Sequence, residues 1–325
     1  MSKTRIFLTK YSRVLLLILI CAVMGILSPN FFKIGNIVNV LRQSSLYLIM
    51  SLGMLFALLL GRGTDMSIGA TLALTSCVAA EYMSYAPNDP WRVFIGILIA
   101  IGLAAIIGAI NGIIVAKFNL PAILVTLGTR EIIRGIAYYF MSEKVIVILP
   151  QFITQMGMGR VFKKVEWLPT SIPIPILIAL GFVILSVFIL RFTAIGRSVY
   201  LVGANAQAAR FSGIRTNAVM VFGFVISAVY SAVAGLIYIG RLSAAEPSIG
   251  ADFAFECVSA VAIGGASFSG GVGTVWGTVI GSIIFCLVLN ALNLLHVSAY
   301  WQGAVNGTVV ILAVLLDYFA RRSKT

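Results

Sequence analysis

Residues 93–116 read VFIGILIAIGLAAIIGAINGIIVA, an uncharged run bounded by Arg92 and Lys117. A helix needs roughly 20 mainly apolar residues to cross a bilayer, and this run supplies them between two bases. Working outward, nine further apolar runs are separated by proline, glycine and charge. The candidate spans are about 14–28, 44–61, 66–85, 92–116, 121–140, 171–191, 216–240, 253–264, 274–295 and 299–318. The eighth is too short to cross alone and reads as broken or re-entrant. The fold expected is an all-α polytopic membrane protein of about ten transmembrane helices. It forms one transmembrane domain over 1–325, with five-span halves at 14–140 and 171–318.

Composition supports this class. Of 325 residues, 60% are hydrophobic and 10% charged, with a mean hydropathy of +1.06. Soluble domains carry about 25% charged residues. The net charge of +13 is scattered over span ends, which suits topology and contact with anionic lipid headgroups. No basic stripe with an aromatic platform accompanies it, so nucleic acid is not an expected partner. Cys21, Cys77, Cys257 and Cys286 lie in apolar runs without CxxC spacing and read as small core residues. No zinc site, catalytic triad or carboxylate dyad is visible, and the single His296 argues against a histidine proton relay.

Lys3, Arg5, Lys10 and Arg13 precede the first apolar run, which is followed by Ser28-Pro29-Asn30-Phe31-Phe32. No small-x-small cleavage site appears there, so the run reads as a retained span. With the N-terminus inside, the inner segments carry thirteen Lys and Arg residues and the outer ones eight. Four of those eight occupy one long outer loop, 141–170, which weighs little in topology. Both termini are therefore expected in the cytosol. The outer loop, with Pro150, Trp167 and Pro169, is either a docking segment or a plain connector.

Ser67-Ile68-Gly69-Ala70 recurs as Ser248-Ile249-Gly250-Ala251, each preceded by a Gly-Arg pair at Gly61-Arg62 and Gly240-Arg241. Five spans is an odd number, so two such halves must be oppositely oriented, as in transporters built from inverted repeats.

The inner loop 192–215 contains Gly203-Ala204-Asn205-Ala206-Gln207-Ala208-Ala209-Arg210-Phe211-Ser212-Gly213-Ile214. Its alanines favour a short helix, and Gly213 permits a left-handed termination. A small smooth helix can be gripped in a groove and transmit a push; the alternative is an ordinary basic loop. The segment resembles the cytoplasmic coupling loop of ATP-binding-cassette importer permeases, with Ala208, Ala209 and Gly213 matching its EAA-x-x-x-G signature and Gln207 standing where Glu is typical. Two further stretches resemble the ribose-type sugar permeases: Gly63-Thr64-Asp65-Met66-Ser67-Ile68-Gly69, and Gly264-Gly265-Ala266-Ser267-Phe268-Ser269-Gly270-Gly271-Val272-Gly273-Thr274.

The resemblance covers residues 30–317 and implies a membrane-spanning importer subunit in a bacterial cytoplasmic membrane, translocating a sugar or sugar-like solute. It implies a second permease copy or a related permease and a soluble periplasmic or lipid-anchored sugar-binding protein. ATP and Mg would be used on separate cytosolic ATPase subunits, with no cofactor or catalytic residue on this chain. Asn205, Gln207, Ala208, Ala209, Arg210 and Gly213 are the expected coupling residues. Nucleoside and branched-chain amino-acid permeases share the superfamily, and an ion-coupled secondary transporter is the alternative class.

Asp65, with Thr64 and Ser67 beside it, suits either a helix cap or a polar group facing a cavity. The stretch 264–273 is glycine-rich but is followed by no lysine before Lys324, so it is not a nucleotide P-loop. Close helix approach is the better account. Arg130, Glu131 and Arg134 fall in the middle of span 121–140 and either line a pathway or mark the end of a shorter span. Asn111, Asn290, Asn293 and Asn306 are candidate interior hydrogen-bonding groups, Asn111 being counted with the pathway set.

Overall fold

The computed structural model describes residues 3–142, 144–161, 171–298, 301–305, 307–308 and 311, with side chains from Val14 onward. Helices dominate. The order is α1 (Lys3–Leu27), α2 (Ile34–Leu59), α3 (Ile68–Ser84), α4 (Pro90–Phe118), α5 (Ala122–Met141) and α6 (Gln151–Met158). The two-residue strands β1 (Arg160–Val161) and β2 (Ile172–Pro173) pair antiparallel. Then come α7 (Ile174–Val187), α8 (Ala194–Ala204), α9 (Ala206–Phe211), α10 (Thr216–Leu242), α11 (Phe253–Ile263) and α12 (Val275–Leu294). A wider π turn at Phe188–Phe192 extends α7.

Among the described residues, five helices are long and apolar enough to cross a membrane: α2, α4, α7 with its π turn, α10 and α12. This is an all-α membrane protein. The tenth apolar run, 299–318, lies largely outside the described residues, as do Asn306, Trp167 and Pro169. At eleven residues α11 rises about 16 Å, well short of a bilayer core. The helix α2 starts ten residues before the apolar run at 44, because Ile34, Ile37 and Leu41 leave only one side of that stretch polar. The long loops are also more ordered than their polarity suggests: 192–215 holds α8 and α9, and 141–170 holds α6.

α4 shows how local sequence sets packing. Asp89 accepts from Trp91 N at 3.0 Å and Pro90 takes the first position, while Asn119 closes the helix in a left-handed conformation. Gly96, Ala100, Ala104, Gly108 and Gly112 recur every four residues along one buried line. From Ala104 onward that line lies on α10, while Gly96 at its start faces Met83 of α3: a Cβ on Gly108 would meet Phe224 O at 2.5 Å, and one on Gly112 would meet Val221 Cα at 2.6 Å. Ala104 packs with Ala228 and Ala232. The opposite side, including Leu98, Ile106, Ile110 and Ile113, is exposed and suits lipid.

The helix α2 is buried nearly all round and packs on α10, α12, α11 and α7. Asn36 and Asn290 exchange amide hydrogen bonds between α2 and α12, at 3.1 and 2.8 Å. The segments between the long helices gather at two ends. At one end Gly271 N donates to Leu59 O and Ala122 N to Arg62 O, both at 2.9 Å. At the other, Ile146 bridges Ala245, and Gly157 of α6 lies backbone to backbone on Gly240 and Arg241.

The two Ser-Ile-Gly-Ala copies touch. A Cβ added to Gly69 would overlap the Gly250 carbonyl oxygen, and one added to Gly250 would stand 3.0 Å from Gly69 O. Gly69→Ala is therefore expected to lower thermal stability in detergent by about 1–3 kcal/mol. Gly102→Ala, whose Cβ would enter open space, should be neutral or stabilise by up to about 1 kcal/mol. Equal melting temperatures for the two variants would refute the contact.

Candidate functional site

The loop helix α9 is defined at both ends by its own sequence. Asn205 is extended (φ −160, ψ 100), separates α8 from α9, and accepts from Ala208 N at 3.0 Å through its side-chain oxygen. Past the last turn, Gly213 N donates to Arg210 O and Ile214 N to Ala209 O. With Gly213 at φ +81, this is the Schellman arrangement that a glycine permits. Gln207, Ala208, Arg210 and Gly213 are exposed on this helix, while Ala209 is buried against the chain itself. Ala209 thus holds the helix on the bundle rather than presenting it. Phe211, 82% exposed at the tip, is the apolar group offered outward, and sequence reasoning missed it. A lone aromatic among small polar residues was the available signal.

The seat beneath the end of α8 is made of glycines. A Cβ on Gly203 would overlap Leu59 O and would meet Gly271 N at 2.6 Å. A Cβ on Gly61 would meet Ser269 O at 2.8 Å and Gly203 O at 2.9 Å, and one on Gly270 would overlap Gly61. Backbone therefore touches backbone where α8 ends, α2 ends and the glycine-rich 264–273 stretch leads into α12. The Tyr200 hydroxyl donates to Gly273 O at 3.0 Å. Burial pushes that phenol's pKa up, so it keeps its proton.

The other candidates separate into two groups. Thr64, Asp65, Ser67 and Asn111 are all buried and form one network. Asp65 Oδ1 accepts from Ser67 N at 3.0 Å and Ser67 Oγ at 2.6 Å, and Oδ2 accepts from Ser227 Oγ at 2.8 Å. Asn111 Nδ2 donates to Ser67 Oγ at 3.0 Å. Thr126 Oγ1 receives Met66 N at 2.9 Å and approaches Thr64 O at 3.3 Å, tying α5 to the same segment. Ser67 occupies the cap position of α3 without a side-chain cap bond, so Asp65 organises the turn through Ser67 rather than capping the helix alone.

Arg130, Glu131 and Arg134 lie on α5 about halfway along it. Arg134 Nη1 donates to Pro247 O and to Ile249 O, the latter at 2.8 Å, and Arg130 Nη2 donates to Ala251 O at 3.1 Å. These guanidiniums satisfy carbonyls of the irregular 243–252 segment. Glu131 pairs with its neighbour Arg130 at 3.6 Å, not with Arg134, and leaves 75% of its side chain exposed.

A family described as "Branched-chain amino acid transport system / permease component" matches residues 36–314. The ribose import permease protein of Haemophilus influenzae is 36% identical over 98% of this chain and 96% of its own length. The D-allose transport system permease protein of Escherichia coli is 35% identical, covering 96% of this chain and 92% of that one. The galactose/methyl galactoside import permease protein of Salmonella typhimurium is 34% identical, covering 93% and 91%. No solved structure matches.

Removing the Asp65 acceptor would strand three donors in the interior. Asp65→Ala is expected to cost about 3 kcal/mol of stability, and Asp65→Asn, which keeps one acceptor oxygen, about half of that. Thermal unfolding of the purified variants decides it, and an Asp65→Ala protein as stable as wild type would overturn the assignment.

Proposed function

Because the chain belongs to the permease-component family of the branched-chain amino acid transport type, we propose that it is the membrane-spanning subunit of an ATP-binding-cassette importer for a sugar or sugar-like solute. The observation that carries this is α9: a short exposed helix with an apolar tip, packed on α10 and on α8, whose last turn is in backbone contact with the end of α2 and with the stretch leading into α12. The import names of the ribose and galactose relatives, and the transport of D-allose by a third, support the solute class. This chain has no nucleotide P-loop sequence, so ATP and Mg belong to separate ATPase subunits, gripping Phe211 and the exposed face of α9. As the ATPases close on ATP, α9 moves, and the glycine seat passes the motion to α2 and α12, exchanging one opening of the pathway for the other.

Ten spans in two inverted halves fit the packing. α4 packs on α10 as α12 packs on α2, α3 on α10 as α11 on α2, and α3 on α4 as α11 on α12. A pseudo-two-fold axis passing between Gly69 and Gly250 would account for the contact of these matched positions. In this reading the α9 end is cytosolic with both termini, and the end holding α6 receives a soluble sugar-binding protein.

A second permease copy belongs on α5. Glu131 is exposed halfway along a helix otherwise suited to the membrane, where lipid offers a carboxylate no partner. Gly128 and Gly135 on either side of it face open space. A neighbouring copy and the aqueous pathway between the two would account for all three.

The test is co-purification from native membranes in mild detergent. A P-loop ATPase should accompany the wild type in stoichiometric amount and be lost with Phe211→Glu. Gly203→Ala should retain the ATPase yet transport at least about tenfold less solute per ATP hydrolysed, since one misplaced backbone contact alters mechanical coupling rather than docking. A chain that purifies alone and transports in liposomes without ATP would establish the ion-coupled class instead.

A further inference from the structure

We propose that the exposed face of α5 touches the solute on its way across the membrane, and that Glu131, Tyr138 and Ser142 are the groups that hydrogen-bond a neutral polyol there. The proposal rests on the import reading above and names the residues that would tell one solute class from another.

Helix geometry sets the face. Gly128, Glu131, Gly135, Tyr138 and Ser142 are all exposed and follow one another at steps of three or four residues, so they lie along one side of α5, with Ser142 closing it. From Gly128 to Ser142 the line rises about 21 Å, most of a bilayer core. The opposite side is anchored: Ile133 and Ala137 are buried with Ala70 and Leu74 of α3. A Cβ added to Gly128 or Gly135 would meet nothing within 4 Å. Bare backbone therefore flanks Glu131 and leaves a gap that a sugar ring can enter.

Neither lipid nor a dry contact suits this line. Among the described residues the Glu131 carboxylate has Arg130 alone as a partner, at 3.6 Å, and lipid offers it no other. A two-fold contact sets the same patch on both subunits. A second copy packed dry on this face would bring Glu131 toward its own counterpart, and two carboxylates with no cation between them repel. Water and solute between the copies relieve both problems.

The line opens into a hollow at the end of α5 away from α9. Tyr138, Tyr139, Phe140 and Ser142 border a space of about 710 Å³, within the range of small-molecule sites. The rings offer apolar faces to the C–H side of a sugar, and the Tyr138 and Ser142 hydroxyls both give and receive hydrogen bonds.

Charge on the face selects among solutes. Its one charged group is a carboxylate, and the neighbouring bases are engaged: Arg134 donates to Pro247 O and Ile249 O, and Arg130 to Ala251 O. An amino acid would bring a second carboxylate to a face with no cation on it. A neutral polyol instead donates to Glu131 and exchanges hydrogen bonds with both hydroxyls.

The experiment uses the assembled transporter, reconstituted in liposomes with its ATPase and binding protein. Gly135→Cys is treated with a charged, water-soluble thiol reagent, the wild type serving as background and Ile106→Cys, on the lipid side of α4, as the dry control. Gly135→Cys should label at least about tenfold faster, because thiolate forms in water and not in lipid. Uptake of D-ribose, D-allose or D-galactose per ATP hydrolysed should stay within about threefold of wild type in Glu131→Gln, which keeps an acceptor oxygen, and fall at least about tenfold in Glu131→Leu. Labelling no faster than the control overturns the wet face. Equal loss in both Glu131 variants makes the residue an ion-pair partner of Arg130 and overturns its solute contact. Glu131→Cys copies that join in a disulfide under mild oxidant, which needs Cα atoms within about 7 Å, show a dry contact and overturn the route. Import of L-leucine in place of the sugars overturns the solute class. The first three outcomes leave the import reading intact; if the wild-type complex imports none of the sugars with ATP, that reading fails and the proposal falls with it.

Discussion

Irregular backbone at membrane depth must find its hydrogen bonds inside the protein, because lipid supplies none. Much of this structure follows from that constraint. The segments 60–67 and 243–252 interrupt the helices, and each is closed by polar groups borrowed from elsewhere. The first is folded around Asp65 and braced by Thr126. The second is held by Arg130 and Arg134. Where the first turn of α3 meets the second segment, at Gly69 and Gly250, side chains are absent and the backbones approach directly. Glycine here permits contact more than flexibility.

The same device recurs at the α9 end with a different result. Gly61, Gly203, Gly270 and Gly271 bring three chain segments into backbone contact. A junction made of flexible side chains would absorb a push by changing rotamers. One made of peptide groups has no such freedom, since packed interiors resist small deformation. In the proposed importer, the part of the molecule that would receive force is thus the part least able to dissipate it.

What the sequence made legible, and what it did not, divides along physical lines. Long apolar runs are visible because crossing a membrane imposes length and composition. The shortness of α11 and the left-handed stop at Gly213 were readable for the same kind of reason, being properties of a local stretch. The direction in which a residue faces is not local. Ala209 reads as part of an outward motif and is turned inward, while Phe211 beside it is exposed. Arg130 and Arg134 read as lining a pathway or marking a span end, and no local pattern shows that their partners are carbonyls more than a hundred residues away.

The four-residue ladder of small side chains on α4 carries a geometric ambiguity. A pattern that repeats every four positions repeats every 6 Å or so along the axis. Sliding α4 one notch against α10 would again set small residues opposite the same ridge. Smoothness alone therefore fixes how near the helices lie but leaves their axial offset degenerate. Asn111 breaks the degeneracy: one notch away, its amide loses Ser67 and is left unpaired in the interior. It serves as an index pin, a single polar side chain choosing one offset among several that van der Waals contact would treat as equivalent.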